Sequence, residues 1–433
     1  MQRPIATETR RVQRVTIVTP GQIGSNPRVV KEAQSLHEAG YELTVIATRT
    51  LDLVEPRDLA LIRRIPWRLE RIDLRSRLRW RLLRAGQLAA RSLVAVGVGQ
   101  SADVGLSGFT LPLRRAALAM PSDLYIAHYP AALPAVATAA RKYGTRYAYD
   151  AEDFHIGDWP DDAKYDGERR LVREIESRYL PGCAYVTAAS PGIAEAYVDA
   201  YGIKPPCVVL NAFPVGHALS NPTPQGTARP RPSLYWFSQT IGPDRGLECA
   251  VRAIALTRLR PHLYLRGTPT DGYSEQLIDL AKSTGAEGHL HFLPPGDPTK
   301  MEQLAAGYDA GLVAETGHSA SRRLCLTNKL FSFLLAGIPP VMSDTPAHCR
   351  FAKEAGILDL IYTRENPAAL AALLDRLFGD PTQLAANRAL AWRLGQERYN
   401  WEREQGQLVE AVARAGFGRA PVAAGTISDV SVG

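Results

Sequence analysis

One acid and several cations follow a predicted strand in the C-terminal third of the chain. Glu315 comes directly after the apolar segment DAGLVA, and Arg322, Arg323 and Lys329 stand further along the same stretch. Asn328 and Lys329 also open the segment NKLFSFLLAG, whose following turns are almost wholly apolar. A helix start presents unpaired amide groups and a positive dipole end. Together with nearby cations, it can therefore form an anion-binding site. The alternative interpretation is a buried helix with a solvated first turn.

The C-terminal half offers another cation in a similar place. The predicted strand SLYWFS is followed by QTIGPDRGLE, which brings Arg245 to the start of a helix. The planar guanidinium group suits a phosphate, and the helix dipole adds to the attraction. An arginine that is simply solvated in a first turn fits the same pattern.

A glycine-containing loop follows the first predicted strand. The segment TPGQIGSNPR contains Gly21 and Gly24, where backbone amides can approach a ligand closely. Its spacing is not that of a dinucleotide-binding loop, and Arg49 stands where such a fold requires an acid. A purely structural turn is the alternative.

A histidine and three acids follow two other predicted strands. His128 ends the strand in DLYIAHYP, and the strand RYAYD is followed by an acidic turn with Asp150, Glu152 and Asp153. Because the carboxyl ends of parallel strands meet at one edge of a sheet, these groups can contact a substrate or handle a proton. A core histidine is the alternative, and the scattered spacing is too unspecific for a metal site.

These residues need two parallel sheets to position them. Apolar strands alternate with amphipathic helices in two series, which predicts an α/β protein with two Rossmann-like, doubly wound domains. The pattern divides the chain into an N-terminal domain at 12–212 with a basic helical insertion at 57–120, a proline-rich linker at 213–232, a C-terminal domain at 233–380, a helical return segment at 381–415 and a disordered tail at 416–433.

Composition narrows the classes of function. The 433 residues carry a net charge of only +7, which argues against a general nucleic-acid binder. Five cysteines lie far apart without metal-type spacing, which is typical of reduced thiols in a cytoplasmic protein. The most apolar run, Leu330 to Met342, is too short to span a bilayer.

Positive charge is concentrated between Arg57 and Arg91, where eleven arginines stand against three acids. Ile65, Leu69 and Ile72 recur at helical spacing, so this stretch predicts a basic amphipathic helical region. Such a region binds the headgroups of an anionic membrane surface. An ordinary arginine-rich helix that faces water is the alternative.

Taken in order, these motifs resemble those of the retaining, nucleotide-sugar-dependent glycosyltransferases of the family 4 type. The resemblance covers residues 14–398 and implies the GT-B fold, in which two Rossmann-like domains face a cleft. Its N-terminal marks are TPGQIGSNPRVVKEAQSLHEAGYELTVI, DLYIAHYPAALPA and YDAEDFH, and its C-terminal marks are SQTIGPDRGLE, LVAET and NKLFSFLLAGIPPVMSD.

The resemblance also implies a role for each candidate residue. Gly21 and Gly24 would border the donor phosphates and the acceptor, and His128 would meet the transferred sugar. Arg245 would bind the diphosphate, and Glu315 would contact the donor sugar. Asn328 and Lys329 would face the diphosphate or the ribose. Asp150, Glu152 and Asp153 would lie on the acceptor side.

The sequence departs from the family pattern in two places. Gln239 and Thr240 stand where many relatives carry an arginine, so one phosphate cation is missing or comes from Arg322 or Arg323. Ser332 replaces the acid that usually holds the ribose, which exchanges a carboxylate for one hydroxyl. Both departures bear on the choice of donor.

The resemblance implies sugar transfer from a nucleoside-diphosphate sugar to a saccharide or lipid-linked acceptor, with retention of configuration. No metal and no further cofactor are expected. Such an enzyme fits polysaccharide biosynthesis for the cell envelope, either in the cytoplasm or on the inner face of the cell membrane. Two alternatives remain open: a nucleotide-sugar epimerase of the same architecture, and a catalytically inactive nucleotide-sugar-binding protein.

Overall fold

The structure, a computed structural model, describes residues 13–219 and 232–417. In the first of these ranges, seven parallel strands form one sheet: β1 (Arg14–Val18), β2 (Glu42–Arg49), β3 (Arg68–Asp73), β4 (Leu124–His128), β5 (Arg146–Ala151), β6 (Val186–Ala188) and β7 (Cys207–Val208). Its helices are α1 (Pro27–Glu38), α2 (Glu55–Ile62), α3 (Arg77–Ala95), α4 (Ala102–Leu106), α5 (Thr110–Leu118), α6 (Leu133–Tyr143), α7 (Asp166–Tyr179) and α8 (Pro191–Tyr201). The strand order is β3-β2-β1-β4-β5-β6-β7.

Within residues 232–417, six parallel strands form the second sheet: β8 (Ser233–Ile241), β9 (His262–Pro269), β10 (Leu290–Leu293), β11 (Ala310–Val313), β12 (Pro340–Ser343) and β13 (Ile361–Tyr362). Its helices are α9 (Leu247–Leu256), α10 (Tyr273–Thr284), α11 (Met301–Ala305), α12 (Ala320–Leu324), α13 (Asn328–Leu335), α14 (Pro346–Ala355), α15 (Pro367–Gly379), α16 (Pro381–Glu397) and α17 (Trp401–Arg414). The strand order is β10-β9-β8-β11-β12-β13.

Both sheets reverse their strand order beside their first strand, between β1 and β4 and between β8 and β11. In doubly wound sheets, ligands bind beyond the carboxyl ends of the strands at such a switch point. Strand β4 is buried at every position, as expected for a parallel strand covered on both faces. The prediction of two parallel-sheet α/β domains is confirmed.

Helix α13, which begins at the predicted anion site, is buried from Lys329 to Leu335. Phe333 packs directly on Gly311 of β11. A Cβ atom at Gly311 would overlap the phenyl ring, so this close packing requires glycine there. A Cβ atom at Gly395 would lie 2.7 Å from the Leu334 carbonyl group, so the glycine allows α16 to approach the backbone of α13. The start of α13 is therefore fixed by packing against both the sheet and α16.

The chain returns to the first domain after α16. Trp401 Nε1 at the start of α17 donates a hydrogen bond to Ser35 Oγ on α1 at 2.9 Å, and Phe417 packs in the core of the first sheet. The expectation of a disordered tail from residue 416 is wrong for Phe417, which is buried. Residues 418–433, and residues 220–231 of the predicted linker, lie outside the described residues.

Part of the predicted helical insertion at 57–120 is a strand. Residues 68–73 form β3 and pair in parallel register with β2 at the edge of the sheet. Leu69 and Ile72 are three residues apart, which places them on one side of a helix but on opposite faces of a strand. In the structure they pack with different cores on the two faces of the sheet, so the helical interpretation was wrong for this stretch.

Candidate functional site

A cleft of about 1370 Å³ lies between the two domains. This volume exceeds the roughly 300–1,000 Å³ of an ordinary small-molecule pocket, so the cleft can hold a large ligand or two adjacent ones. Its first-domain wall includes Gly24, Lys31, Pro56, Arg57, Leu61, Glu152 and Asp153. Its second-domain wall includes Gln239, Arg245, Arg322, Asn328, Lys329 and Ser332.

Lys329 stands on the second-domain wall with an acid behind it. Its Nζ lies 3.4 Å from Glu315 Oε1, and both side chains are buried. Ser343 fixes Glu315, because its Oγ accepts a hydrogen bond from the Glu315 amide at 3.0 Å and donates one to the Glu315 carbonyl oxygen at 2.8 Å. Glu315 is not itself among the lining residues of the cleft, so its geometry favours a role in positioning Lys329 over direct sugar contact.

The charges of this pair are set by burial and by two arginines. Burial raises the pKa of Glu315, but the neighbouring cations, Lys329 first, outweigh it and hold the pKa below its usual range. Burial lowers the pKa of Lys329, and Arg245 and Arg322 add to that lowering against the opposing effect of Glu315. The three cations therefore lie close enough to repel one another, and an anion between them would relieve that repulsion.

Arg245 and Arg322 are only partly buried and both line the cleft. Burial lowers the pKa of Arg245, whose guanidinium group makes no hydrogen bond or ion pair with any described residue. Burial alone would lower the pKa of Arg322. The interactions with Cys325, Glu315 and Asp153 outweigh the effect of burial and raise the pKa of Arg322. Neither cation is neutralised by a direct ion pair in the described part of the chain.

The structure distinguishes between the two arginines on α12. Arg322 reaches the cleft, whereas Arg323 is exposed outside it and donates from Nη1 to the Gly317 carbonyl oxygen at 3.1 Å. Of the two candidates for an additional phosphate cation, the geometry therefore favours Arg322.

Gln239 and Asn328 also line the cleft. Gln239 Nε2 donates to the Ser25 carbonyl oxygen at 3.3 Å, so it bridges the second sheet and the glycine-containing loop of the first domain. Asn328 is the first residue of α13 and lies beside the cations at the helix start.

Ser332 has a partner that sequence reasoning missed. Its Oγ donates to Glu302 Oε1 at 2.6 Å, and Glu302 on α11 is fully buried. Glu302 Oε2 lies 3.6 Å from His217 Nδ1 and has no hydrogen-bond partner among the described residues. A carboxylate thus stands directly behind the serine, although it lies 30 residues away in sequence, where no motif indicates it.

His128 does not line the cleft. The side chain is fully buried; its Nε2 lies 2.6 Å from Glu32 Oε2 and its Nδ1 lies 3.3 Å from Asp150 Oδ2. Burial would lower the pKa of His128, but the charges of Glu32 and Asp150 outweigh it and raise the pKa. The expectation that His128 meets a transferred sugar does not hold in this geometry, because the ring is held beneath the surface.

Asp150 is engaged in the same buried network. Arg28 donates to both of its carboxylate oxygens, from Nε and Nη2, at 2.7 Å. Burial raises the pKa of Asp150, but Arg28 and His128 outweigh it and lower the pKa to about 2. Glu32, His128 and Asp150 lie close enough to resemble a metal-binding group, yet Arg28 already supplies a cation there. Asp150 therefore supports the domain from within and does not face the acceptor side.

The glycine amides are also occupied. Gly24 N donates to Asp58 Oδ1 at 2.7 Å, and Gly21 N donates to Thr19 Oγ1 at 3.2 Å. A Cβ atom at Gly24 would lie 2.8 Å from Asp58 Oδ1, so glycine is needed there for the close approach of α2. The expectation that these amides face a phosphate is wrong, although Gly24 itself lies on the cleft.

Glu152 and Asp153 do reach the cleft from the acidic turn. Glu152 Oε1 accepts a hydrogen bond from Asn211 Nδ2 at 3.0 Å, and burial raises its pKa. Burial and the charge of Asp158 raise the pKa of Asp153 despite the opposing charge of Arg322 from the other domain. These two acids therefore place hydrogen-bond acceptors opposite the cations.

Lys31 is a further cleft residue that the sequence did not reveal. Its Nζ donates to Asn211 Oδ1 at 2.8 Å and to the Ala212 carbonyl oxygen, and it lies between the rings of Phe213 and Trp401. Burial and the charge of Arg28 lower its pKa to about 7. This lysine joins the first domain to the segments through which the chain crosses between domains.

Part of the sequence and the whole fold are similar to known proteins. Residues 23–212 match the family model of the glycosyl transferase 4-like domain. The whole fold is similar to that of HepE from Anabaena, solved in complex with UDP and glucose, with a TM-score of 0.70 and 16% identity over 93% of this chain and 99% of that chain. Sucrose-phosphate synthase from Thermosynechococcus elongatus is similar in fold, with a TM-score of 0.68 and 13% identity over 94% of this chain and 100% of that chain. The chain therefore has the fold of these two-domain structures, and residues 23–212 are similar to the glycosyl transferase 4-like domain.

Particular relatives are found at the level of sequence. The chain is 26% identical over 274 residues to D-inositol 3-phosphate glycosyltransferase from Rhodococcus erythropolis. The same identity and length hold for the enzyme of that name from Rhodococcus opacus. Each alignment covers 60% of this chain but only 58% of the relative, so the chain matches little more than half of each relative's length.

No helix in the described part of the chain combines the length and the apolar character needed to cross a bilayer.

Proposed function

We propose that the protein is a glycosyltransferase that moves a sugar from a nucleoside-diphosphate sugar to a saccharide or lipid-linked acceptor. The observation that carries this proposal is the convergence of Arg245, Arg322 and Lys329 on one wall of the cleft, at the carboxyl edge of the second sheet. The matched domain and the fold support it. HepE of Anabaena was solved with UDP and with UDP-glucose, and we propose a UDP-sugar as the donor here too.

The three cations suit the charge that develops in such a reaction. As the bond between the sugar and the diphosphate breaks, negative charge grows on the leaving phosphate oxygen. Cations that are held in place and partly removed from water stabilise this charge more than that of the intact donor, which lowers the barrier. In this proposal, the positive charge at the diphosphate comes from side chains, and no further cofactor takes part.

We assign retention of configuration to attack from the side of the leaving group. The acceptor hydroxyl oxygen bonds to the anomeric carbon as the carbon–oxygen bond to the diphosphate breaks, and the hydroxyl proton passes to the leaving phosphate oxygen. Glu152 and Asp153 lie on the opposite wall of the cleft, where they would orient the acceptor hydroxyl groups.

Ser332 and Glu302 form the proposed ribose subsite. The serine donates its single proton to Glu302 Oε1, so its oxygen presents only lone pairs to a ligand. A ribose hydroxyl can then donate to Ser332 in one orientation. The carboxylate that is missing from α13 thus acts from α11, through the hydroxyl of the serine.

We place the reaction in the cytoplasm or at the inner face of the cell membrane, in the assembly of an envelope polysaccharide. Nucleotide sugar and acceptor are the proposed partners, and an anionic membrane surface is the third. The excess of arginines between Arg57 and Arg91 supports the membrane contact.

The experiment is a two-stage ligand and product test. Melting temperature is measured with UDP, GDP, ADP and dTDP sugars, because a ligand at about 100 times its Kd stabilises the native state by about 2.7 kcal/mol. The donor that binds is then incubated with saccharide and lipid-linked acceptors. We expect a UDP-sugar to stabilise the protein and its sugar to appear on an acceptor. Stabilisation by none of the donors would contradict the proposal, and an epimerised donor without transfer would identify an epimerase instead.

A further inference from the structure

Helix α2 turns one of its faces towards the cleft. Arg57, Ala60 and Leu61 of this face line the cleft, and so does Arg64 in the turn directly after the helix. Spacings of three and four residues place side chains on the same side of a helix. The Arg64 amide continues the turn by donating to the Leu61 carbonyl oxygen at 2.8 Å. The face therefore carries a cation on each side of a short apolar stretch.

The two acids of α2 point away from the cleft and are paired inside the first domain. Glu55 Oε2 lies 2.9 Å from Arg49 Nε and is also paired with Arg71 on β3. Asp58 is buried, accepts a hydrogen bond from the Gly24 amide at 2.7 Å and lies 3.2 Å from Arg71 Nη2. Because both carboxylates are taken up in this way, the charge that α2 presents to the cleft is positive.

The arginines of this face have no internal partner. The guanidinium groups of Arg57 and Arg64 make no hydrogen bond or ion pair with any described residue. Arg57 is half-buried, whereas Arg64 is exposed and faces a loop of the second domain. A hydrogen bond from the Thr299 amide in that loop lowers the pKa of Asp297, and the charge of Arg64 contributes to the lowering. Both cations are therefore available to a ligand between the two walls.

Arg57 stands where the two walls of the cleft come into contact. It lies against Gly24, because a Cβ atom at this glycine would be 2.9 Å from Arg57 Cβ. The carbonyl oxygen of the next residue, Ser25, accepts a hydrogen bond from Gln239 of the second domain at 3.3 Å. The cations that we assign to the donor diphosphate lie on the second-domain wall, so a ligand held by α2 would lie opposite the donor. The cleft of about 1370 Å³ has room for both.

We propose, on the basis of the proposed sugar transfer, that Arg57 and Arg64 bind an anionic group of the acceptor. The acceptor is then a saccharide that carries a phosphate ester or a carboxylate. The planar guanidinium group can donate two parallel hydrogen bonds to either anion. The apolar side chain of Leu61 packs against the sugar ring between the arginines, and Glu152 and Asp153 on the same wall accept hydrogen bonds from its hydroxyl groups. A neutral saccharide would leave both arginines without a partner.

Calorimetric titration of the full chain with saturating UDP tests this subsite. The UDP occupies the cations of the second-domain wall, so an anion that binds in its presence must bind elsewhere. Glucose 6-phosphate, glucuronate and glucose are the probes, since they share a sugar ring and differ in the charged group. We expect one of the two anions to bind at least about tenfold more tightly than glucose at low salt. Tighter binding of glucose 6-phosphate would identify a phosphate ester, and tighter binding of glucuronate would identify a carboxylate.

The chain offers a matched control for the two arginines. Arg63 directly precedes Arg64 and is exposed, but it does not line the cleft. Arg57→Ser with Arg64→Ser should weaken binding of the preferred anion at least about tenfold, whereas Arg63→Ser should leave it unchanged within about twofold. Both variants should keep the Kd for UDP within about twofold. None of the three guanidinium groups has a partner among the described residues, so the melting temperature should not fall appreciably.

Three results would overturn the anionic subsite while leaving the donor site intact. The first is UDP binding without any preference for an anionic sugar over glucose. The second is an equal loss of anion binding from Arg63→Ser, which would indicate a general effect of charge. The third is a weaker affinity for UDP in the double variant, which would place Arg57 and Arg64 at the donor. Failure of the unchanged protein to bind UDP would instead remove the proposed activity, and this subsite with it.

Discussion

The two walls of the cleft use similar residues in opposite ways. On the second-domain wall, the cations reach the cleft surface, and Glu315 stands behind Lys329 as their main acidic neighbour. On the first-domain side, Arg28 at the start of α1 and His128 at the end of β4 are also basic groups, but both are paired with acids below the surface. The difference shows that residue type and strand position alone do not make a ligand site. What decides it is whether the side chain still reaches the cleft: Lys329 lines the cleft although it is paired with Glu315, whereas Arg28 and His128 do not line it.

The largest effect is expected from Lys329→Met, which removes the buried cation of the second-domain wall. Loss of a charge-assisted contact with the diphosphate should lower kcat/KM for transfer about 10- to 150-fold, since such contacts contribute about 1.5–3 kcal/mol each. Steady-state kinetics with the donor identified by thermal shift would measure the change.

A stability control separates that loss from unfolding. Lys329→Met leaves Glu315 buried without its partner, which should cost about 3–5 kcal/mol of unfolding free energy. Adding Glu315→Gln removes the stranded charge and should recover most of the stability but none of the activity. Recovery of transfer in the double variant would show that the lysine does not bind the donor.

The next largest effect is expected from Arg322→Ala, compared with Arg323→Ala. The two arginines are neighbours in sequence, yet only Arg322 lines the cleft. Arg322→Ala should raise the Kd for the nucleoside diphosphate at least about tenfold, whereas Arg323→Ala should leave it unchanged within about twofold. Equal effects in a calorimetric titration would remove Arg322 from the donor site.

A smaller effect is expected from Glu302→Gln. The amide still contacts Ser332 but no longer imposes the hydrogen-bond direction that leaves the serine as an acceptor. The donor KM should rise a few-fold while kcat stays near its original value. Ser332→Ala should act similarly, and the double variant should be no worse than either single one, because the two residues act as a unit. Fully additive losses would contradict a joint subsite.

The smallest effect on transfer is expected from His128→Asn, although its effect on stability is large. The change removes the partner of Glu32 and Asp150 inside the domain, so unfolding free energy should fall by about 2–4 kcal/mol. At a temperature where the variant remains folded, kcat should stay within about threefold. A large loss of kcat with an unchanged melting temperature would return His128 to the reacting centre.

Much of the fold could be predicted from sequence, because alternation of apolar strands and amphipathic helices is a local property. The two sheets and the helix that begins at Asn328 follow from it. Edge strand β3 could not be distinguished from a helix, since an interval of three residues fits both when each face of the strand meets a core. The charged residues of β3 did not distinguish a strand from a helix either.

Within the site, sequence located the residues of the second-domain wall but could not say which way the first-domain residues faced. Strand-end position brought His128 to the correct edge of the sheet, but the partners that hold it inward, Glu32 and Asp150, are 96 and 22 residues away in sequence. Glu302 was missed for the same reason, because the contact with Ser332 is made between two helices. Contacts of this kind follow from packing and carry no local pattern.

The central claim is that the cations of the second-domain wall bind the diphosphate of an activated sugar. Calorimetric titration of UDP into the unchanged protein and into Arg245→Ala tests it most directly, because Arg245 has no partner in the described chain whose loss would disturb the fold. The account predicts one UDP per chain and a Kd at least about tenfold higher for the variant at the same melting temperature. Equal affinity of the two proteins for UDP would contradict it.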